Sequence, residues 1–207
     1  MRTTLVRSIN IPSVRLALAA GLDSVVATAQ RLGLTTPIPP VAATAIGAAD
    51  VRPIELVTAY GVFATLGTYV PPRIVTLVQG SSGLPVYEAP AVQPALVLDP
   101  RVAFQMVEMM RDVVRRGLPA SLPVADKTGT TNDNTDVWFV GLTPDFVAGV
   151  RMGFDRLRTI TLLAFGGTLA APIWGAFAVS FYGGTEPTGR GAAERLLRQL
   201  RFGLFGW

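Results

Sequence analysis

Ala125-Asp126-Lys127-Thr128-Gly129-Thr130-Thr131-Asn132-Asp133 closes a run that reads as a strand from Pro123 to Thr130. Side chains alternate along a strand, so Lys127 and Gly129 share one face while Thr128 and Thr130 share the other. Glycine lets a second backbone or a ligand come close. On an edge strand, free N–H and C=O groups accept an extended peptide as a further strand. One ammonium, two hydroxyls and a bare stretch of backbone on such a rim suit a peptide that ends in a carboxylate. The plainer reading is a threonine-rich turn with an incidental lysine, because a lone Lys-Thr-Gly triplet arises often by chance.

The rhythm on either side sets the fold class. Downstream, Val137–Leu142 and Phe146–Gly153 read as two more strands, and the short connections favour antiparallel neighbours. Upstream, Ile11–Leu34 reads as helix in two parts broken near Gly21, with Asp23 capping the second part and Gly33 stopping it. After the proline-rich Thr35–Pro40, Asp50–Gly67 reads as a buried helix with Asp50 as its N-cap and Pro53 near its first turn. Arg73–Val78 and Leu84–Tyr87 read as a hairpin that turns at Gly80-Ser81-Ser82-Gly83. Asp99–Gly117 reads as a further helix, with Asp99 as cap, Pro100 at its first position, Arg115 and Arg116 in the last turn and Gly117 as its stop. Helices followed by a strand meander predict an α+β fold in which helices pack on an antiparallel sheet.

From Thr159 to Thr185 no residue is charged. Such a run is long enough for a membrane span. Gly166, Gly167 and Pro172 interrupt it, and Trp174 falls in its middle rather than at an interface. The preferred alternative is a last strand near Thr159–Phe165, a Gly-Gly turn, and a buried helix from about Leu169 to Phe181. Residues 186–207 form a basic tail in which Arg195, Arg198 and Arg201 alternate with Leu196, Leu197, Leu200 and Phe202. It reads either as an amphipathic helix on an anionic membrane or as a frayed terminal helix. Residues 1–185 read as one domain, incomplete on its N-terminal side.

Composition narrows the chemistry. Half of the 207 residues are hydrophobic and 15% are charged, which suits a packed core. The absence of cysteine excludes thiolate nucleophiles, disulfides and cysteine-held zinc within this chain, and the absence of histidine excludes Ser-His-Asp triads and histidine-held metals. No metal or cofactor is expected. Acid–base work must come from Lys, Asp, Glu, Tyr or Ser. A net charge of +4 spread over the chain gives no reason to expect a nucleic-acid partner. Lys127 is the single lysine, every other basic side chain being arginine. Lysine releases and accepts a proton where arginine effectively does not, so this one ammonium is either a chemical necessity or an accident.

Further segments fall into order around the Lys-Thr-Gly run. Ser8-Ile9-Asn10 lies far upstream and leads into Ile11-Pro12-Ser13-Val14-Arg15-Leu16. Ile46-Gly47-Ala48 precedes Pro53-Ile54-Glu55-Leu56 and Ala59-Tyr60. Asp136-Val137-Trp138-Phe139-Val140-Gly141, Thr143-Pro144-Asp145 and Gly166–Trp174 follow it. In this order the segments resemble the transpeptidase domain of bifunctional (class A) penicillin-binding proteins, which carry Ser-x-x-Lys, Ser-x-Asn and Lys-Thr-Gly boxes. The resemblance covers most of Thr4–Phe181.

The resemblance implies a serine acyl-transferase that attacks the D-Ala-D-Ala end of a peptidoglycan stem peptide, cross-links it to a second peptide, and is trapped by β-lactams. By position, Ser8 is expected to relay a proton to the leaving nitrogen and Lys127 to hold the Ser8 hydroxyl. Asn10 is expected to bond the substrate amide. Thr128, Gly129 and Thr130 are expected to bind the substrate, with the two hydroxyls on its terminal carboxylate and the Thr130 N–H as an oxyanion donor. One such donor is typically worth ~10²–10³ in rate. Without that context, Ser8 and Asn10 would be an ordinary helix-start turn before Pro12. Trp138 and Trp174 read as core or wall residues, and Asp133 and Asp136 as braces of the loop after the strand.

The Ser-x-x-Lys box belongs before Ser8, where only seven residues stand, and position 124 ahead of the single lysine is Val. The resemblance therefore implies a fragment. Its parent would act at the extracytoplasmic face of the cytoplasmic membrane, with the nucleophile segment and a glycosyltransferase domain upstream. The chain alone is expected to be poorly stable, not to acylate, and to expose an apolar face where the missing helix would pack. Two other readings remain: a non-catalytic fragment that binds stem peptides or β-lactams, and a small membrane protein built on Thr159–Thr185.

Overall fold

The computed structural model describes residues 1–113, 118 and 122–183, and places an antiparallel sheet between helices. The central sheet has the order β5-β6-β7, formed by β5 (Ala125–Thr130), β6 (Asp136–Leu142) and β7 (Val147–Gly153). Lys127 stands opposite Val140, and Thr128 opposite Phe139. The register therefore sorts the sheet into two faces.

On the first face, Ala125 and Leu142 pack with Val107 and Met110 of α5 (Pro100–Met110), with Tyr60 and Phe63 of α4 (Pro53–Ala64), and with Leu5 of α1 (Arg2–Val6). On the second, Phe139 packs with Trp174, Ala178 and Tyr182 of α6 (Ala171–Tyr182). Trp174 is 0% exposed, and its indole N–H donates to Ala148 O at 2.9 Å. The α+β reading of the sequence is the observed architecture. Around it lie a two-stranded hairpin of β2 (Leu77–Gln79) with β3 (Pro85–Glu88), and a short pair of β1 (Thr68–Tyr69) with β4 (Ala95–Leu96).

The two-part helix is α2 (Asn10–Ala20) and α3 (Leu22–Arg31), bent by 92° at Gly21, whose φ is 87°. Asp23 does not cap α3. Gly21 occupies the cap position and Asp23 lies in the first turn. Nor does Asp50 cap α4: the N-cap is Arg52, extended at φ −71° and ψ 133°. A residue before proline is pushed out of the helical region, so the helix cannot begin before Pro53. The cap of α5 is Asp99, which accepts from the Arg101 amide at 2.8 Å. That helix stops at Met110 rather than at Gly117, and Arg115, Arg116 and Gly117 lie outside the described residues.

Helix α4 is not buried all round, since Ile54 is exposed while Glu55, Ala59 and Val62 face inward. Glu55 ties α4 to the loop after α3. It accepts from the Thr35 hydroxyl at 2.6 Å, the Thr36 hydroxyl at 2.9 Å, both of their amides, and Arg52 at 2.9 Å. These donors, the Thr35 hydroxyl foremost, hold its pKa at about 2 against an ordinary 4.5.

The charge-free run downstream is not one helix. Among the described residues, 159–165 form turns instead of the expected strand, Gly166–Ala170 make a single wide helical turn, and α6 follows. The 12 residues of α6 extend about 18 Å at 1.5 Å per residue, short of the ~30 Å of a bilayer core. No single described helix is long and apolar enough to cross a membrane, although the bent α2–α3 pair passes by length and composition. The basic tail 186–207 lies outside the described residues.

Candidate functional site

β5 is an edge of the central sheet, bonded only to β6 among the described residues. Its first residues, Ala125 and Asp126, are buried, and its last, Thr130, is exposed, so the strand climbs out of the core toward solvent. Ser8 lies in the turn between α1 and α2, at a left-handed φ of 52°. Helix α1 is braced against α5 by the Arg2–Asp112 ion pair and by Arg2 donating to Glu108 O at 3.2 Å. That packing delivers Ser8 to the first face of the sheet, where Lys127 Nζ donates to Ser8 Oγ at 2.9 Å and to Thr128 O at 2.6 Å. Asn10 is exposed at the start of α2, two residues along the chain from Ser8.

Burial lowers the Lys127 pKa from its ordinary value, and the neighbouring Asp126 carboxylate opposes the shift without cancelling it. An ammonium destabilised in this way surrenders a proton more readily than a surface lysine. The Ser8 oxygen accepts from Lys127, so the Ser8 hydroxyl proton is available to donate elsewhere.

The second face supplies different chemistry. Thr130 Oγ1 accepts from the Gly166 amide at 3.2 Å. A Cβ at Gly166 would lie 2.1 Å from Trp138 O and 2.9 Å from Gly129 O, so only glycine lets this backbone settle on the β5–β6 ladder. On the first face Gly129 lies against Trp138 across the ladder, while on the second Gly167 sits beside the Thr128 methyl. Asp136 pairs with Arg151 Nε at 3.0 Å, while Thr131 N–H closes the turn on Asp136 O at 3.0 Å. The structure thus gathers Ser8, Lys127, Thr128, Gly129 and Thr130 along one strand edge. Sequence reasoning missed the Gly166 amide as a partner of Thr130. The Gly166-Gly167 pair, read there as a simple turn, was the signal for a close backbone approach.

The model of the penicillin binding protein transpeptidase domain matches residues 1–174. The chain belongs to the penicillin-binding protein transpeptidase family. Penicillin-binding protein 1A of Neisseria cinerea is 35% identical to this family member over 185 residues, covering 84% of the chain and 23% of the relative. Penicillin-binding protein 1A of Rickettsia bellii is 29% identical over 214 residues, covering 90% and 27%. The chain therefore spans about a quarter of the length of these curated relatives. The crystal structure of penicillin-binding protein 1A from Haemophilus influenzae matches with a TM-score of 0.78 at 23% identity, over 90% of this chain and 35% of that one. An imipenem acyl-enzyme complex of penicillin-binding protein A from M. tuberculosis matches with a TM-score of 0.71 at 26% identity, over 86% and 46%. The transpeptidase fold read from the Ser-x-Asn and Lys-Thr-Gly boxes is the fold these comparisons find.

Proposed function

We propose that this chain is the C-terminal part of a peptidoglycan D,D-transpeptidase domain, and that its β5 edge holds the D-Ala-D-Ala end of a stem peptide. The carrying observation is the 2.9 Å contact between Lys127 Nζ and Ser8 Oγ beside a strand that, among the described residues, bonds only to β6. An extended peptide adds to such an edge through backbone hydrogen bonds. Thr128 and Thr130 then serve its carboxylate from the second face, while Ser8 and Lys127 face the scissile amide from the first.

In the proposed reaction an upstream serine, its hydroxyl proton taken by an upstream lysine, attacks the penultimate D-Ala carbonyl. The C–N bond breaks, the leaving amine takes the Ser8 proton, and Lys127 returns one to Ser8. Asn10 bonds the substrate amide. The nucleophile, its base lysine and a glycosyltransferase domain are supplied by an upstream part of the same polypeptide at the extracytoplasmic face of the membrane. β-Lactams, as D-Ala-D-Ala mimics, enter the same place.

Two measurements test this. The purified chain is expected to retain no fluorescent penicillin after denaturation, and covalent label would overturn the fragment reading. Titration with an N-acetylated peptide ending in D-Ala-D-Ala is expected to give weaker affinity for Thr130→Val, by about fivefold for one lost hydrogen bond. Equal affinity in the two proteins would remove β5 as the carboxylate site.

A further inference from the structure

The turn from β5 into β6 holds Asp133 and Asn134 in the left-handed region, at φ 59° and 51°. Asparagine tolerates that conformation, and tolerance alone would explain its presence. Its hydrogen bonds do more. Asn134 Nδ2 donates to Leu162 O at 3.0 Å, and Asn134 O accepts from the Ile160 amide at 3.0 Å. The partner of the side chain is a carbonyl, which fixes the amide orientation.

One residue thus pins residues 160–162, a stretch with no strand or helix of its own. Apolar packing contributes little there, because Leu162 and Leu163 are 84% and 74% exposed and only Ala164 is buried. Two residues beyond Ala164, the same segment presents the Gly166 amide to Thr130 Oγ1. A hydroxyl that accepts from an amide has its own proton left to give outward.

We propose that Asn134 is a positioning residue: it anchors the 160–166 strap so that the Gly166 amide fixes the Thr130 hydroxyl as a donor toward a ligand carboxylate. The ligand half of this proposal rests on the reading of β5 given above, whereas the strap half stands on geometry alone.

The test uses the 207-residue chain and two variants. Asn134→Asp keeps the shape but turns the donor into an acceptor facing Leu162 O. Asn134→Gly keeps the left-handed backbone and the Ile160 bond but removes the side chain. In both, hydrogen exchange at the Gly166 amide is expected to rise about fivefold, the ratio for one lost hydrogen bond, with amides of α4 unchanged. Affinity for the N-acetylated D-Ala-D-Ala peptide is expected to fall by a similar factor, with the melting midpoint held.

Unchanged Gly166 exchange overturns the proposal. So does an equal rise across α4, which would mark global loosening. Faster Gly166 exchange with unaltered peptide affinity overturns the link to Thr130. A native chain that binds no peptide, while Gly166 exchange still rises in the variants, removes the carboxylate reading of β5 and upholds the strap.

Discussion

The β5–β7 sheet carries helices on both faces, α4 and α5 on one and α6 on the other, and Phe139 within it is fully buried. The β2–β3 hairpin lies bare among the described residues: every residue of its two strands is exposed, and Ile74 just before it is 91% exposed. Both are antiparallel, and both look like strands to a reader of alternation. An isolated hairpin is marginal in water, whereas a sheet covered on both faces gains the full transfer free energy of its side chains. Stability is concentrated in the region that also builds the candidate site.

Four substitutions break or sharpen that contrast. Trp174→Ala empties the centre of the α6–sheet core and is expected to cost about 3–5 kcal/mol by urea denaturation. A loss below ~1 kcal/mol would mean the sheet is no more essential than the hairpin. Gly141→Ala places a methyl 2.5 Å from the Trp174 ring, so about 1–3 kcal/mol of overpacking is expected in the same assay.

Glu55→Gln probes the joint between α4 and the loop after α3. A carboxyl whose folded pKa lies near 2 adds stability above its ordinary 4.5, and loses that stability as pH falls through this window toward 2. The melting midpoint of the native chain should therefore drop from pH 4.5 to 2 more steeply than that of Glu55→Gln. Equal slopes would leave the joint without energetic weight. Smallest of all, Val86→Ala in the hairpin is expected to change stability by less than about 0.5 kcal/mol.

Much of this was legible in advance because local physics and tertiary structure agree. The alternation around Lys127 gave the correct faces, the Gly21 break gave the α2–α3 bend, and Asp99-Pro100 gave the start of α5. The readings that failed were settled by a neighbour in sequence or by a partner far along the chain. Pro53 overrode the cap at Asp50 by excluding the helical region one residue earlier. Residues 159–165 have the apolar content of a strand, yet the Ile160 amide and the Leu162 carbonyl are taken by Asn134, some 26 residues or more upstream. The Ser8–Lys127 contact was placed only by the resemblance, since 119 residues separate the pair and no local pattern reports such a distance.

The far edge of the central sheet has its own consequence. Among the described residues, the seven residues of β7 pair only with β6, and Arg151 is the one charged side chain on the strand. Helices shield the faces of this sheet, and the β7 sequence contains no proline to block an incoming strand. A strand edge of this kind is a template for a further strand, so light scattering by the purified chain is expected to grow more steeply than linearly with concentration.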